Sequence, residues 1–326
     1  MRTIIICLLI LTCSVVSAYA QEPTKKAVLV TGASSGSGNV ITKALAAKGY
    51  YVFAGARKQK DLDALNAIEN VHAIKLDVTI QSQIDAAVAE VTKTGLGLYG
   101  LVNNAGVGIQ SPLIETAESE LKFIFDVNVY GPYRITKAFA PLIIESQGRI
   151  STIGSVSGIS SAPFYGPYSM TKHAMEAFND SLAWEMEKFG VKVSIIEPGG
   201  FNSKIGPKVY QRLKNSGYDF ENSRYKTEWE TGSFLRDKGK GVVENNTPEE
   251  IANAVVDILE SDSPKPRYLV QESKKYTTWT IQQAMLEMLQ LNHDQAHSLT
   301  RAELVKLLDE FLAKDLSENP FQWDDE

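Results

Sequence analysis

The sequence predicts an α/β fold, a doubly wound parallel sheet of about seven strands in a single domain with a C-terminal helical extension. Three observations carry that prediction. From Lys25 onward, short β-rich runs alternate with helical stretches, the signature of parallel strands joined by helical crossovers. Most of the strand runs are continuously apolar rather than alternating, as strands covered on both faces require. A glycine-rich turn follows the first run and opens a helix.

The strands are placed at 27–30, 51–54, 72–76, 100–103, 148–153, 192–197 and 267–270. Right-handed crossovers between them force an open sheet, Rossmann-like, with ligands bound at the carboxyl ends of its strands. The sixth strand gives way to a stretch of different texture, 202–246, rich in Lys, Asn, Gly and Ser, with Tyr210, Tyr218, Phe220, Tyr225 and Trp229. Its place at a strand's carboxyl end reads equally as a substrate lid or as a variable surface loop. Thr247-Pro248-Glu249-Glu250 then reads as a helix start, threonine capping and proline in the first turn. Further on, Thr300-x-x-Glu303 is a capping box ahead of Leu304, Leu307, Leu308, Phe311 and Leu312. Their spacing marks one helix face, which is expected to dock on the core or on a second subunit.

Composition narrows the function classes. With 326 residues, 44% hydrophobic and 22% charged, the chain is ordinary globular material, not disordered, collagenous or many-span membrane protein. Its net charge of −6 comes without a basic block, so nucleic acid is not an expected partner. Residues 1–20 read as a separate leader. Arg2 precedes an apolar stretch that ends in Ala18-Tyr19-Ala20, the shape of a signal peptide or an N-terminal anchor. The protein is therefore expected to be exported or held at a membrane through residues 4–20. Cys7 and Cys13 both fall in this leader, so a processed chain holds no thiol for disulfide, metal or nucleophilic chemistry. His72, His173, His293 and His297 show no metal-ligand spacing; the last two, four apart, read as a solvated pair on a helix face.

The chemistry sits in four places. Thr31-Gly32-Ala33-Ser34-Ser35-Gly36-Ser37-Gly38 joins strand to helix, where glycine lets backbone approach a pyrophosphate and unpaired N–H groups meet it. After the second strand, Ala56 stands where an acidic residue would hold a ribose 2′-hydroxyl, and Arg57 next to it suits a 2′-phosphate, which favours NADP over NAD. Tyr168 and Lys172, four apart on a helix, point into one site; a lysine cation there is expected to stabilise the phenolate and lower the tyrosine pKa. Ser155 lies at the end of the fifth strand, Asn103-Asn104-Ala105-Gly106 ends the fourth, and Asn128 lies in a helical segment.

Taken together, these motifs resemble the short-chain dehydrogenase/reductase family over about 25–270, leaving 271–326 as the helical extension. The glycine motif appears as Thr31, Gly32, Gly36 and Gly38, the Asn-Asn-Ala-Gly element as Asn103 to Gly106, the catalytic set as Asn128, Ser155, Tyr168 and Lys172, and the Pro-Gly element as Pro198-Gly199. The resemblance implies cofactor contacts from Gly32, Ser34, Ser35, Gly36, Gly38, Arg57, Asp77, Val78, Asn104, Ala105, Gly106, Tyr168, Lys172, Pro198, Gly199 and Ser203. Phe201, Phe164 and Tyr165 are placed on the substrate side, and Ser155 is preferred to the competing Ser157. A narrower similarity, through Ile195 to Phe201, is to members acting on retinol and 17β-hydroxysteroids. The family usually has Ile or Leu where Ser37 stands, a departure expected to loosen the glycine loop, and Ser203 replaces its common threonine. The resemblance implies an enzyme that interconverts a hydroxyl and a carbonyl by hydride transfer with NADP(H) on a small alcohol or carbonyl substrate, no metal, and a homodimer or homotetramer. An epimerase or dehydratase reading fits the glycine spacing less well. The alternative from another class is a non-catalytic NADP-binding sensor or interaction protein.

Overall fold

The structure, a computed structural model, describes residues 25–200, 211–231 and 248–316. The N-terminal segment with Cys7 and Cys13, Phe201 and Ser203, Thr247 and the tail after 316 lie outside the described residues.

Seven parallel strands form one sheet: β1 (Ala27–Val30), β2 (Tyr51–Ala56), β3 (Val71–Lys75), β4 (Gly100–Asn103), β5 (Arg149–Ile153), β6 (Lys192–Pro198) and β7 (Arg267–Val270). Their order across the sheet is β3-β2-β1-β4-β5-β6-β7. The order reverses between β1 and β4, which opens a crevice at the carboxyl ends of those two strands. The crossover helices are α1 (Gly36–Ala47), α2 (Gln59–Asn66), α3 (Gln81–Lys93), α4 (Glu118–Phe125), α5 (Gly131–Glu145) and α6 (Gly166–Glu187). A short helix α7 (Lys226–Thr231) follows, then α8 (Glu249–Glu260), α9 (Lys274–Asn292) and α10 (Arg301–Leu312).

Successive strand residues point to opposite faces, and each face has its own apolar layer. Val28, Val30, Val52 and Val102 pack under α1 and α8 with Ile41, Leu45, Val255 and Ile258. Ala27, Leu29, Phe53 and Leu101 pack on the other side with Ile84, Val91, Ile135 and Phe139 of α3 and α5. Both layers are dry, which explains the continuous apolar strand runs.

The structure corrects the sequence reading in two places. The stripe of α10 does not dock on the core: its capping box forms, yet Leu307, Leu308, Phe311 and Leu312 are exposed. His293 caps the C-terminus of α9 and His297 lies in the turn beyond, so the two share no helix face. Pro248 stands at the start of α8 with helical backbone angles, and the threonine before it lies outside the described residues.

Candidate active site

The glycine loop turns away from β1 at the sheet crevice. Thr31 ties it down: its hydroxyl oxygen accepts the N–H groups of Asn104 and Ala105, both at 3.0 Å, linking the ends of β1 and β4. Gly32 has φ of +68°, and a Cβ there would sit 2.9 Å from Ala105 Cα. A Cβ on Gly38 would collide with Asn104 Nδ2 and the Gly32 carbonyl. These two glycines are fixed by backbone crowding.

Ser37 does not loosen the loop. Its hydroxyl donates to Asn104 Oδ1 at 2.7 Å, while Asn104 Nδ2 donates to the Thr31 carbonyl at 2.8 Å. A polar latch thus replaces the expected apolar packing and joins the glycine loop to the Asn-Asn-Ala-Gly element.

On the outer side the loop is open. Gly36 has φ of +59° and nothing within 4 Å of where a Cβ would be. Ser35 precedes α1 without a side-chain cap bond, and the first turn holds no acidic residue. Uncapped N–H groups at a helix start, free of nearby negative charge, suit a pyrophosphate. A groove of about 570 Å³ runs along this edge and gathers Gly32, Ser34, Ser35, Gly36, Arg57, Asp77, Val78, Asn104, Ala105 and Gly106. Gly38 is buried behind it. Phe123, Val127 and Arg212 also line it, none of which carries a sequence motif. At the far end the Arg57 guanidinium is exposed and 3.6 Å from Asp77, and Ala56 offers no acceptor. The residues present fit a dinucleotide, and the rim fits one bearing a 2′-phosphate.

The second half of the site is built by β5 and α6. Ser155 follows β5 as the cap of a single 3₁₀ turn, its hydroxyl oxygen accepting the Ser157 N–H at 3.1 Å. Tyr168 lies beside the Ser155 hydroxyl, close enough for that hydroxyl to act on the phenol as a hydrogen-bond partner. Ser155 thus meets the tyrosine, while Ser157 serves through its backbone. One turn along α6, the Lys172 ammonium is buried, donates to the Ile153 carbonyl at 2.8 Å, and stands 5.6 Å from the centre of the Tyr168 ring.

Protonation departs from the expectation. Burial pushes the Tyr168 phenol up to about 12, with the Ser155 hydrogen bond pulling it down. Burial also pushes the Lys172 ammonium down to about 8, while the Glu176 and Glu197 carboxyls raise it. Desolvation disfavours the charged form of both groups, so here it outweighs any lowering of the phenol by Lys172.

Asn128 sits in a π-turn (Asp126–Tyr130) between α4 and α5, a widening of the helix that brings its amide inward. Oδ1 accepts the Val107 N–H at 2.8 Å; Nδ2 donates to the Val107 carbonyl at 2.9 Å and to Thr171 Oγ1 at 3.1 Å. The side chain thereby ties the β4 loop to α6 beside Lys172. Pro198 ends β6, and Gly199 donates its N–H to the Val270 carbonyl at 2.8 Å. A Cβ on Gly199 would collide with the Gln271 side chain.

Phe164 and Tyr165 precede α6, and neither lines the dinucleotide groove. Phe164, at φ of 66°, meets Tyr225 edge-on at 5.3 Å and Trp229 at 6.2 Å. The described part of the 202–246 stretch is thus seated against it. Glu115 anchors that stretch by accepting Tyr218 Oη, Ser223 Oγ at 2.7 Å and the Arg224 N–H at 2.9 Å. Arg212 is held by Glu120 at 2.6 Å and lies 3.7 Å over the Phe123 ring.

Comparison with known proteins bears on the family and the fold. A family model for short chain dehydrogenase matches residues 26–214. A 3-amino-tetrahydro-pyrrolizinone reductase of Xenorhabdus hominickii is 34% identical over 258 residues, 77% of this chain and 89% of that protein. The mitochondrial D-beta-hydroxybutyrate dehydrogenase of Mus musculus is 36% identical over 218 residues, 62% of this chain and 63% of its own length. Among solved structures, a variant of actinorhodin polyketide ketoreductase with NADPH superposes with a TM-score of 0.64 at 25% identity, covering 76% of this chain and 96% of that one.

Proposed function

Because this chain belongs to the short-chain dehydrogenase family and is an oxidoreductase acting on CH–OH groups, we propose that it interconverts a hydroxyl and a carbonyl on a small hydrophobic substrate, using NADP(H). The observation that carries the reading is the Ser155–Tyr168 hydroxyl pair, one helical turn from a buried Lys172 and at the same sheet edge as the open glycine groove.

Gly32, Ser34, Ser35 and Gly36 would hold the pyrophosphate, Asp77 and Val78 the adenine end, and Arg57 the 2′-phosphate. The preference for NADP rests on Arg57 and on the lack of an acidic residue at Ala56; NADPH in the ketoreductase structure is in keeping with it. Bound there, the nicotinamide supplies or accepts the hydride. In the reducing direction Tyr168 donates its proton to the substrate oxygen, a role suited to a phenol that burial keeps protonated at neutral pH. Ser155 donates a hydrogen bond to the same oxygen as charge develops on it. Lys172, as the cation, steadies the negative charge left on Tyr168. Asn128 keeps the β4 loop and α6 in register around that pair. The aromatic wall of Phe164, Tyr225 and Trp229 supports an apolar substrate, in keeping with the retinoid- or steroid-like class that Ile195 to Phe201 resembles.

Replacement Tyr168→Phe removes the proton and leaves the groove intact. Turnover of NADPH with carbonyl substrates, followed by absorbance, is expected to fall about 10²-fold or more, with NADPH binding retained. A variant as active as the parent rules the assignment out. The leader supports an exported or membrane-anchored enzyme, and sequencing the native N-terminus distinguishes cleavage from anchorage. A homodimer or homotetramer belongs to the same proposal, with light scattering as its check.

A further inference from the structure

Tyr168, Lys172, Glu176 and Asp180 follow one another at intervals of four along α6 and so share one face of the helix. The end of that row meets two neighbouring strands. Glu197 on β6 is 1% exposed, and Arg267 on β7 pairs in register with Ile195, two residues before it, on the same side of the sheet. Arg267 Nε lies 3.5 Å from Glu176 and 3.8 Å from Glu197, and Nη2 grips both oxygens of Asp180 at 2.6 and 2.7 Å. Gly158 makes room: a Cβ there would sit 2.7 Å from Glu176 Oε1.

The Glu176 and Glu197 carboxyls thus converge on the same guanidinium nitrogen, and each raises or lowers the other's proton affinity. Three carboxyls gather on the single Arg267 guanidinium, two of them in buried surroundings where a net charge is costly, so a proton held by Glu176 or Glu197 relieves the excess. Glu176 Oε1 and both Glu197 oxygens meet no hydrogen-bond donor among the described residues. The charged groups facing the corner are Lys172 and Asp180 from α6, Glu197 from β6 and Arg267 from β7. With one proton held by the pair, its remaining charge and that of Asp180 balance Lys172 and Arg267. With none, the buried corner carries an excess negative charge.

We propose that Glu176 and Glu197 are positioning residues for the hydroxyl–carbonyl reaction: sharing a single proton, they keep the buried Lys172 ammonium charged behind Tyr168. The role rests on the function proposed above, whereas the shared proton does not. Because glutamine mimics a protonated glutamate, replacing either one leaves the other to ionise and preserves the single negative charge. Replacing both removes it.

The experiment compares Glu176→Gln, Glu197→Gln and the double variant by kcat against pH with NADPH, alongside infrared detection of protonated carboxyl in each protein. Each single change is expected to lower kcat at the alkaline end by no more than about twofold, and the double change by about tenfold, moving the alkaline limb down by about one pH unit. The parent is expected to show a protonated-carboxyl band at neutral pH that titrates away near pH 9, where burial and the Glu176 charge place the Glu197 carboxyl. That band is expected to be missing from the double variant. Additive losses that do not vary with pH overturn the positioning role, and a parent without the band overturns the shared proton. Should the parent turn over no carbonyl compound, the enzymatic reading fails by itself, and the band still decides the pair. The infrared measurement on the parent decides it equally if the double variant does not fold.

Discussion

Helices α8 and α10 are each twelve residues long and amphipathic, yet they end in opposite surroundings. On α8, Ile251, Ala252, Val255, Ile258 and Leu259 are all buried, packed with α1 over the sheet. On α10 no side chain is buried, and Leu308 and Leu312 are 50% and 69% exposed. The neighbouring α9 exposes Met285, Leu286, Met288, Leu289 and Leu291 in the same way. Apolar periodicity therefore reports that a helix forms, not what covers it. The body of the molecule derives its stability from burial, and α10 holds its shape largely through its own backbone and cap.

The largest effect expected of this contrast is on α8. Val255→Asp places a charge in a dry layer and is expected to cost about 3–5 kcal/mol, read by denaturant unfolding. A loss under about 1 kcal/mol would mean that α8 is not part of the cooperative core.

A smaller and local effect is expected at the α10 cap. Thr300 Oγ1 accepts the Glu303 N–H at 3.3 Å, and the Glu303 carboxylate accepts the Thr300 N–H at 2.7 Å. Thr300→Ala should loosen α10 by about 1 kcal/mol in amide exchange while global unfolding stays put. The same cap has a pH signature. Hydrogen bonds from the Thr300 backbone and side chain lower the Glu303 pKa from 4.5, so its contribution is present above the unfolded value and is lost as pH falls through the folded one. Exchange protection in α10 is expected to drop on acidification over that window in the parent and to be flat there in Glu303→Gln.

The smallest effect is expected from Leu308→Asp, the counterpart of the α8 substitution. At an exposed position it should change stability by no more than about 0.5 kcal/mol. A loss of several kcal/mol that grows with protein concentration would instead show α10 to be an interface between chains.

Legibility in the sequence followed the distance over which each feature is encoded. The glycine loop, the Tyr168–Lys172 pair and the Thr300–Glu303 box each lie within a few residues, and all three were readable because turn and helix geometry fix such spacings. The strands were placed to within two residues, with β2 running on to Ala56 and β6 to Pro198. The Ser37–Asn104 latch spans 67 residues, and the seating of Arg212 on Glu120 spans 92. Nothing local marks either one. Glu197 read as part of an Ile-Ile-Glu-Pro-Gly run, and its meeting with Glu176 and Arg267 required three elements to be in place. The Tyr168 pKa follows the same rule: spacing puts a lysine near a phenol, and only the fold sets how deeply both are desolvated.

The sequence by itself determined the doubly wound sheet, the groove for a dinucleotide and the hydroxyl–ammonium pair, because backbone periodicity, glycine conformation and helical spacing are local properties of a chain. Tertiary structure alone decided which charges surround Lys172, which aromatic rings gather on Phe164, and which of two similar helices is covered. Those outcomes depend on what remote segments bring together and on how much water they exclude, quantities that no short window of residues contains.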